Sequence, residues 1–172
     1  MACLLNSGYQ LSGCKGNNSG GVAYMYIAPF SSTTVFNMNA SETITGMTGA
    51  PTFYTFDLTK QTSSFTDSPT ASIENDVLYY AQEVRLIINR LNPTVRNQIK
   101  VLAQSRVFII VKDNNGYFWL FGRENGLDLA EGTAGSGVAT TDRSGYELVF
   151  QGNESNPAYN VASTAFAQGV YS

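Results

Sequence analysis

Histidine is absent from the 172 residues of this chain. Its absence removes the usual general base near neutral pH and every Ser-His-Asp or Cys-His arrangement. Charge is also scarce, since Asp, Glu, Lys and Arg make up 13% of positions, about half the usual share. Cysteine occurs twice, as Cys3 and Cys14, too few for a disulfide framework or a closed four-cysteine zinc site. The expectation is of no metal and no cofactor. Their short spacing permits a disulfide without implying one. No apolar run approaches the roughly 20 residues a membrane helix needs, and the opening "MACLLNSGYQLSG" lacks the basic and apolar regions of a signal peptide. A protein without a membrane anchor, made in a reducing cytoplasm, is the expectation.

Uncharged polar residues fill the space that charge leaves. Asn, Ser and Thr together occupy 47 positions, and these residues favour turns, loops and strand surfaces over helix interiors. Ten Tyr, ten Phe and one Trp supply large side chains for a core, which argues against a disordered chain. The length suits a single domain over residues 1–172. A net charge of -3 gives no sign of a nucleic-acid binder. The charges are nonetheless segregated: Arg85, Arg90, Arg96, Lys100, Arg106 and Lys112 lie in a belt with no acid between them. Such a belt is either a set of solvated faces or one half of a charge-guided contact with acidic loops of a second copy.

Along the chain, residues 1–21 are rich in Gly, Asn and Ser and read as an N-terminal arm. The strings "VAYMYIAPF", "TVFNM", "ETITGM" and "TFYTFDL" read as short strands separated by turn formers. Residues 60–72, "KQTSSFTDSPTAS", are polar and nearly featureless and read as a surface loop. "VLYYAQEVRLIINRL" fits either a helical stripe or an alternating strand. Its content of Val, Ile and Tyr favours a long strand. Asn92-Pro93 is an N-cap followed by proline at the first helical position. Behind it Val95, Ile99, Leu102 and Ala103 form one apolar face, which predicts a helix over 93–104. "RVFIIVK", "DNNG" and "YFWLFG" then read as a hairpin, because Asn115-Gly116 tolerates the positive φ of tight turns. "GYELVF" and "AYNVA" close the series.

The Gly/Thr-rich loop predicted over 127–143 lies in the stretch most suggestive of a nucleotide cradle. It fails the requirements one by one. No Lys-Ser or Lys-Thr follows Gly132 or Gly137 as a phosphate loop demands. No convincing helix start follows, as a dinucleotide site demands. Ser136 stands between Gly135 and Gly137 outside the nucleophile-elbow pattern and has no histidine to activate it. The carboxylate pairs Glu74 with Asp76 and Glu124 with Asp128 lack the regular spacing of a calcium loop. No catalytic, cofactor-binding or metal-ligating residue is assigned, and no enzyme activity is expected.

The order of a strand, the helix "LNPTVRNQIKVLAQSR", the hairpin "VFIIVKDNNGYFWLFG", then "NGLDL", "D-x-x-G-Y-x-L-x-F" and "N-E-S-x-P-A-Y" resembles structural proteins of tailed bacteriophages and prophages of Bacteroidetes-type hosts. The N-terminal "CKGNNSGGVAYMYIA" is similar to the same group. The resemblance implies a mainly β fold of the tail-tube kind, an antiparallel β-sandwich or half-barrel with one flanking α-helix. It further implies a virion protein of the tail, non-enzymatic, forming stacked homo-oligomeric rings, expected to be hexameric. Such rings would contact other tail or connector proteins and pass DNA as cargo without reading its sequence. A head-tail connector, collar or baseplate ring is the alternative within that class. A carbohydrate-binding or adhesin-like β-sandwich is the alternative outside it, with exposed aromatics as platforms, although Trp119 sits in an apolar run and reads as core. A small carboxylate enzyme is a third. Ala130 to Thr141 is expected on the outside of the subunit or at a contact between copies.

Overall fold

The computed structural model describes residues 19–49, 52–59, 61–72, 76–166 and 170–171. Most of the predicted arm, with Cys3 and Cys14, lies outside them, as does Glu74. Twelve strands and two helices follow one another: β1 (Val22–Pro29), β2 (Val35–Met38), β3 (Ile44–Thr48), β4 (Phe53–Asp57), β5 (Ser64–Ser72), β6 (Val77–Asn89), α1 (Pro93–Leu102), β7 (Val107–Asp113), β8 (Phe118–Phe121), β9 (Asp128–Gly135), β10 (Gly145–Glu154), β11 (Tyr159–Val161), α2 (Ser163–Phe166) and β12 (Val170–Tyr171). They form an eight-stranded sheet in the order β12-β4-β1-β7-β8-β11-β3-β2 and a four-stranded sheet in the order β5-β6-β10-β9. The fold is mainly β, antiparallel except at β11-β3 and β12-β4, and sandwich-like with α1 on its flank.

Alternation along the strands builds two cores. Met25 and Ile27 of β1, Val107, Ile109 and Val111 of β7 and Phe121 of β8 point towards Val84 and Leu86 of β6 and Leu148 and Phe150 of β10. These residues fill the space between the sheets. The opposite face of the large sheet carries Ala28, Phe108, Ile110 and Leu120, covered by Ile44, Phe53, Val161 and Ala165 of α2. Buried on both faces, β7 is continuously apolar from Val107 to Val111 where a half-exposed strand would alternate. The large sheet curls back on itself: Phe36 of β2, the edge strand, meets Phe108 of β7 edge-to-face at 5.5 Å, and Phe30 joins them at 4.9 Å.

The Asn92-Pro93 signal acts as its chemistry requires. Asn92 is extended, and its side chain accepts the Thr94 amide at 2.9 Å. The long strand is also borne out, with β6 running from Val77 to Asn89.

Two expectations are corrected. Residues 64–72 are not a loop: they pair with β6 along nine residues as β5. Their polar character belongs to an edge strand with one solvated face, in which Phe65 is the large side chain turned to the core. Likewise Asp128–Gly135 of the predicted 127–143 loop is strand β9, paired with β10. Only the segment from Ser136 to Ser144 remains irregular.

Candidate assembly surfaces

The irregular end of the glycine-rich stretch closes on itself. Asp142 Oδ2 accepts the Val138 and Ala139 amides at 2.9 and 2.8 Å, and these two bonds hold its carboxyl below the usual Asp range. The backbone N–H groups that a phosphate cradle would offer to a ligand are taken by the chain's own carboxylate. Gly137, at φ +71°, makes this possible, since a Cβ there would stand 2.5 Å from the Asp142 Cβ. The segment is exposed, with Val138 fully so.

Two buried polar side chains, Gln82 and Glu154, and the partly buried Asp67 work as staples. Gln82 Oε1 accepts the Gly122 amide at 3.0 Å. Glu154 accepts the Glu124 and Asn125 amides at 2.8 and 2.9 Å, and Asp67 Oδ2 accepts the Ala158 amide at 2.7 Å. Burial pushes the Glu154 carboxyl above its ordinary value, against the opposing effect of the two amides. Gln82 and Glu154 are almost wholly buried, and all three tie the 122–125 and 154–158 turns to the small sheet. Isolated Gln, Glu and Asp in strands look like solvated positions in the sequence; the available signal is their occurrence at inward-facing sites of an alternating strand.

Of the carboxylate pairs raised earlier, Glu124 is engaged by Asn156 and Arg123, and no hydrogen bond joins it to Asp128. No group of three or more His, Cys, Asp or Glu side chains that could hold a metal occurs among the described residues. Trp119 packs against the core between the sheets and donates its indole N–H to Asp113 at 3.3 Å. Its ring is therefore not a free stacking platform.

The basic belt divides in two. Arg85 and Arg143 share Glu147 at 3.1 and 2.7 Å. The Arg106 guanidinium donates to the Asn125 carbonyl and lies over Phe30, while Lys112 lies over Tyr24 and Phe118. Arg90, Arg96 and Lys100, just before and along α1, make no ion pair with any described carboxylate.

Apolar surface is left open along α1. None of the α1 residues is buried. The helix borders a groove of about 370 Å³ lined by Ile27, Pro29, Tyr54, Phe56, Val101 and Leu102, among others. Tyr54 is 57% exposed and Val101 63%. Two further exposed apolar side chains, Val77 and Leu78, stand at the start of β6. Pairing with β10 ends at Tyr80, so Val77 and Leu78 stand about 10 and about 7 Å beyond it, 46% and 57% exposed. Contiguous apolar surface such as the groove marks contact sites more often than isolated exposed residues do.

The sheet edges are the third surface. β5 carries Pro69, which has no N–H to offer a further strand. β9 has no proline, pairs on one side with β10, and is exposed along nearly its whole length. Among the described residues no helix is long and apolar enough to cross a membrane. Comparison with family models, curated proteins and solved structures returned no match to this chain.

Proposed function

We propose that the protein is a non-enzymatic structural subunit that self-assembles, a virion component of the tail-tube kind whose rings enclose a passage for DNA. The observation that carries this reading is β9, an eight-residue edge strand whose outer row of backbone N–H and C=O groups has no partner strand among the described residues. An open edge of that length invites pairing with another chain, and closed assembly is one way to satisfy it. Asp128 and Glu131 on the same edge discourage indiscriminate pairing and leave a defined partner as the favourable one. The two-sheet architecture with a flanking helix agrees with the fold that the sequence resemblance implies.

Electron microscopy and light scattering of the purified full chain test the proposal. Tubes or stacked rings are the expected result. Single rings that do not stack favour the connector, collar or baseplate alternative. A monodisperse monomer at every concentration overturns both.

A further inference from the structure

We infer that the outward face of the small sheet holds a binding site for a neutral saccharide, centred on Ala81. The inference goes beyond the assembly reading and does not depend on it. Three strands meet at a depression of about 400 Å³, lined by Thr66 and Ser68 of β5, Ala81 and Glu83 of β6, and Gln151 and Asn153 of β10, a size suited to a small ligand. Register brings these side chains together as two adjacent rungs, Ser68-Ala81-Asn153 and Thr66-Glu83-Gln151. Ala81 is the short side chain between Tyr79 and Glu83 on this face, so the face dips there. Along β5 the outward positions Ser64, Thr66, Ser68, Thr70 and Ser72 all carry a hydroxyl, while Phe65 turns to the core.

The chemistry of the lining selects the ligand. The Thr66 and Ser68 hydroxyls and the Asn153 carboxamide have no hydrogen-bond partner among the described residues, and each of these groups can both donate and accept. Glu83 accepts the Gln151 carboxamide at 2.9 Å, which orients its carboxylate. No Lys or Arg lines the depression, and the next cation along β6, Arg85, is held by Glu147 at 3.1 Å. Phosphate, sulfate and nucleic acid therefore meet a carboxylate with no compensating charge. A lone carboxylate is too few for a divalent cation, and an extended peptide pairs with a sheet edge where backbone groups are open, not with a sheet face. An uncharged ligand remains, with several hydroxyls that donate and accept and an apolar side of C–H groups. Half-buried Tyr79 matches that apolar side: it lies about 7 Å along β6 from Ala81 on the same face, opposite Thr70. A pyranose meets both demands, its C–H side against Tyr79 and Ala81 and its hydroxyls towards Ser68, Glu83 and Asn153.

Calorimetric titration of the full-length chain tests the site, with maltohexaose, cellohexaose, mannohexaose and chitohexaose as neutral probes and a heparin oligomer and inorganic phosphate as charged ones. Binding of at least one neutral probe and of neither charged probe is expected. Ala81→Leu, which fills the depression, is expected to weaken that binding about tenfold or more. Asn153→Ala, at an exposed position, is expected to weaken it several-fold. Circular dichroism and the unfolding midpoint verify that both variants fold; should Ala81→Leu fail to, Asn153→Ala carries the test. Val138→Ser, outside the depression, is expected to bind as the unaltered chain does. Failure of all four neutral probes to bind overturns the inference, and so does binding of either charged probe as tight as that of the neutral ones. Binding that survives substitution at Ala81 and Asn153 places the ligand elsewhere and overturns the site. Sedimentation of the same samples reads assembly separately, so failure here is distinguishable from failure of the function proposed above.

Discussion

Glu154 and Asp142 are two carboxylates that each accept two backbone amides, yet their surroundings shift them in opposite directions. Glu154 is buried, so loss of water outweighs the amides and its pKa rises. A raised folded-state pKa means that the folded chain holds this proton more tightly than the unfolded one. The stability it contributes is complete below the ordinary Glu pKa and is lost as pH rises through the raised value. Urea midpoints measured across that window should fall for the native sequence, and the fall should be absent in Glu154→Gln; an unchanged slope would show that another group is responsible. Glu154→Ala, which leaves the Glu124 and Asn125 amides without an acceptor, should cost about 1–3 kcal/mol at neutral pH. Asp142 lies in water, and its amide bonds lower its pKa. Its contribution is present above the ordinary Asp pKa and is lost as pH falls through the lowered value. Hydrogen exchange of the Val138 and Ala139 amides, corrected for intrinsic rate, should therefore accelerate on acidification, and in Asp142→Ala it should be fast throughout. Slow exchange in that variant would mean that the turn closes without the carboxylate. Neither role was legible in the sequence, where both residues are single acids in polar company. The absence of histidine and of a phosphate-loop lysine was legible, because those chemistries depend on residue type alone.

At the scale of elements, legibility followed how local the determinant was. The start of α1 is written in two adjacent residues, and the structure forms the cap they describe. Asn92→Ala should destabilise the protein by about 1 kcal/mol in chemical unfolding. The loss should appear first as faster hydrogen exchange in the α1 amides, since α1 has no fully buried residue and meets the core only through the partly buried Ile99 and Leu102; uniform loss across the sheets would contradict this. The long strand β6 was readable from its β-branched and aromatic content even though its apolar positions also suited a helix. β5 was not readable. Its Ser and Thr are typical of loops, and what makes them a strand is the partner: β6 supplies a backbone ladder for nine residues. β9 escaped for the same reason, its glycines being tolerated because β10 holds the register beside them.

Over the whole molecule, the large sheet carries a core on each face and curls until its edge strand β2 reaches its centre. Phe108 sits at that closure, fully buried, with Phe30 tilted against its ring and Phe36 edge-on to it. Phe108→Ala should cost about 3–5 kcal/mol in unfolding free energy, and its effect should spread to the β2-β3 hairpin, seen as lost amide protection over Val35–Met38. Protection that survives there would show that backbone pairing with β3 alone holds the hairpin. Among the described residues the small sheet ends in the edge strands β5 and β9, and the groove beside α1 is open. By itself the sequence determined what depends on residue type and near neighbours: a mainly β chain with one capped helix, poor in charge and without histidine chemistry. Only the tertiary structure decided which polar runs become edge strands, which acids are buried as staples, which cations remain unpaired and which apolar side chains stay outside. Those outcomes turn on contacts between residues tens of positions apart, and the free energy of such contacts exists only once the chain has folded.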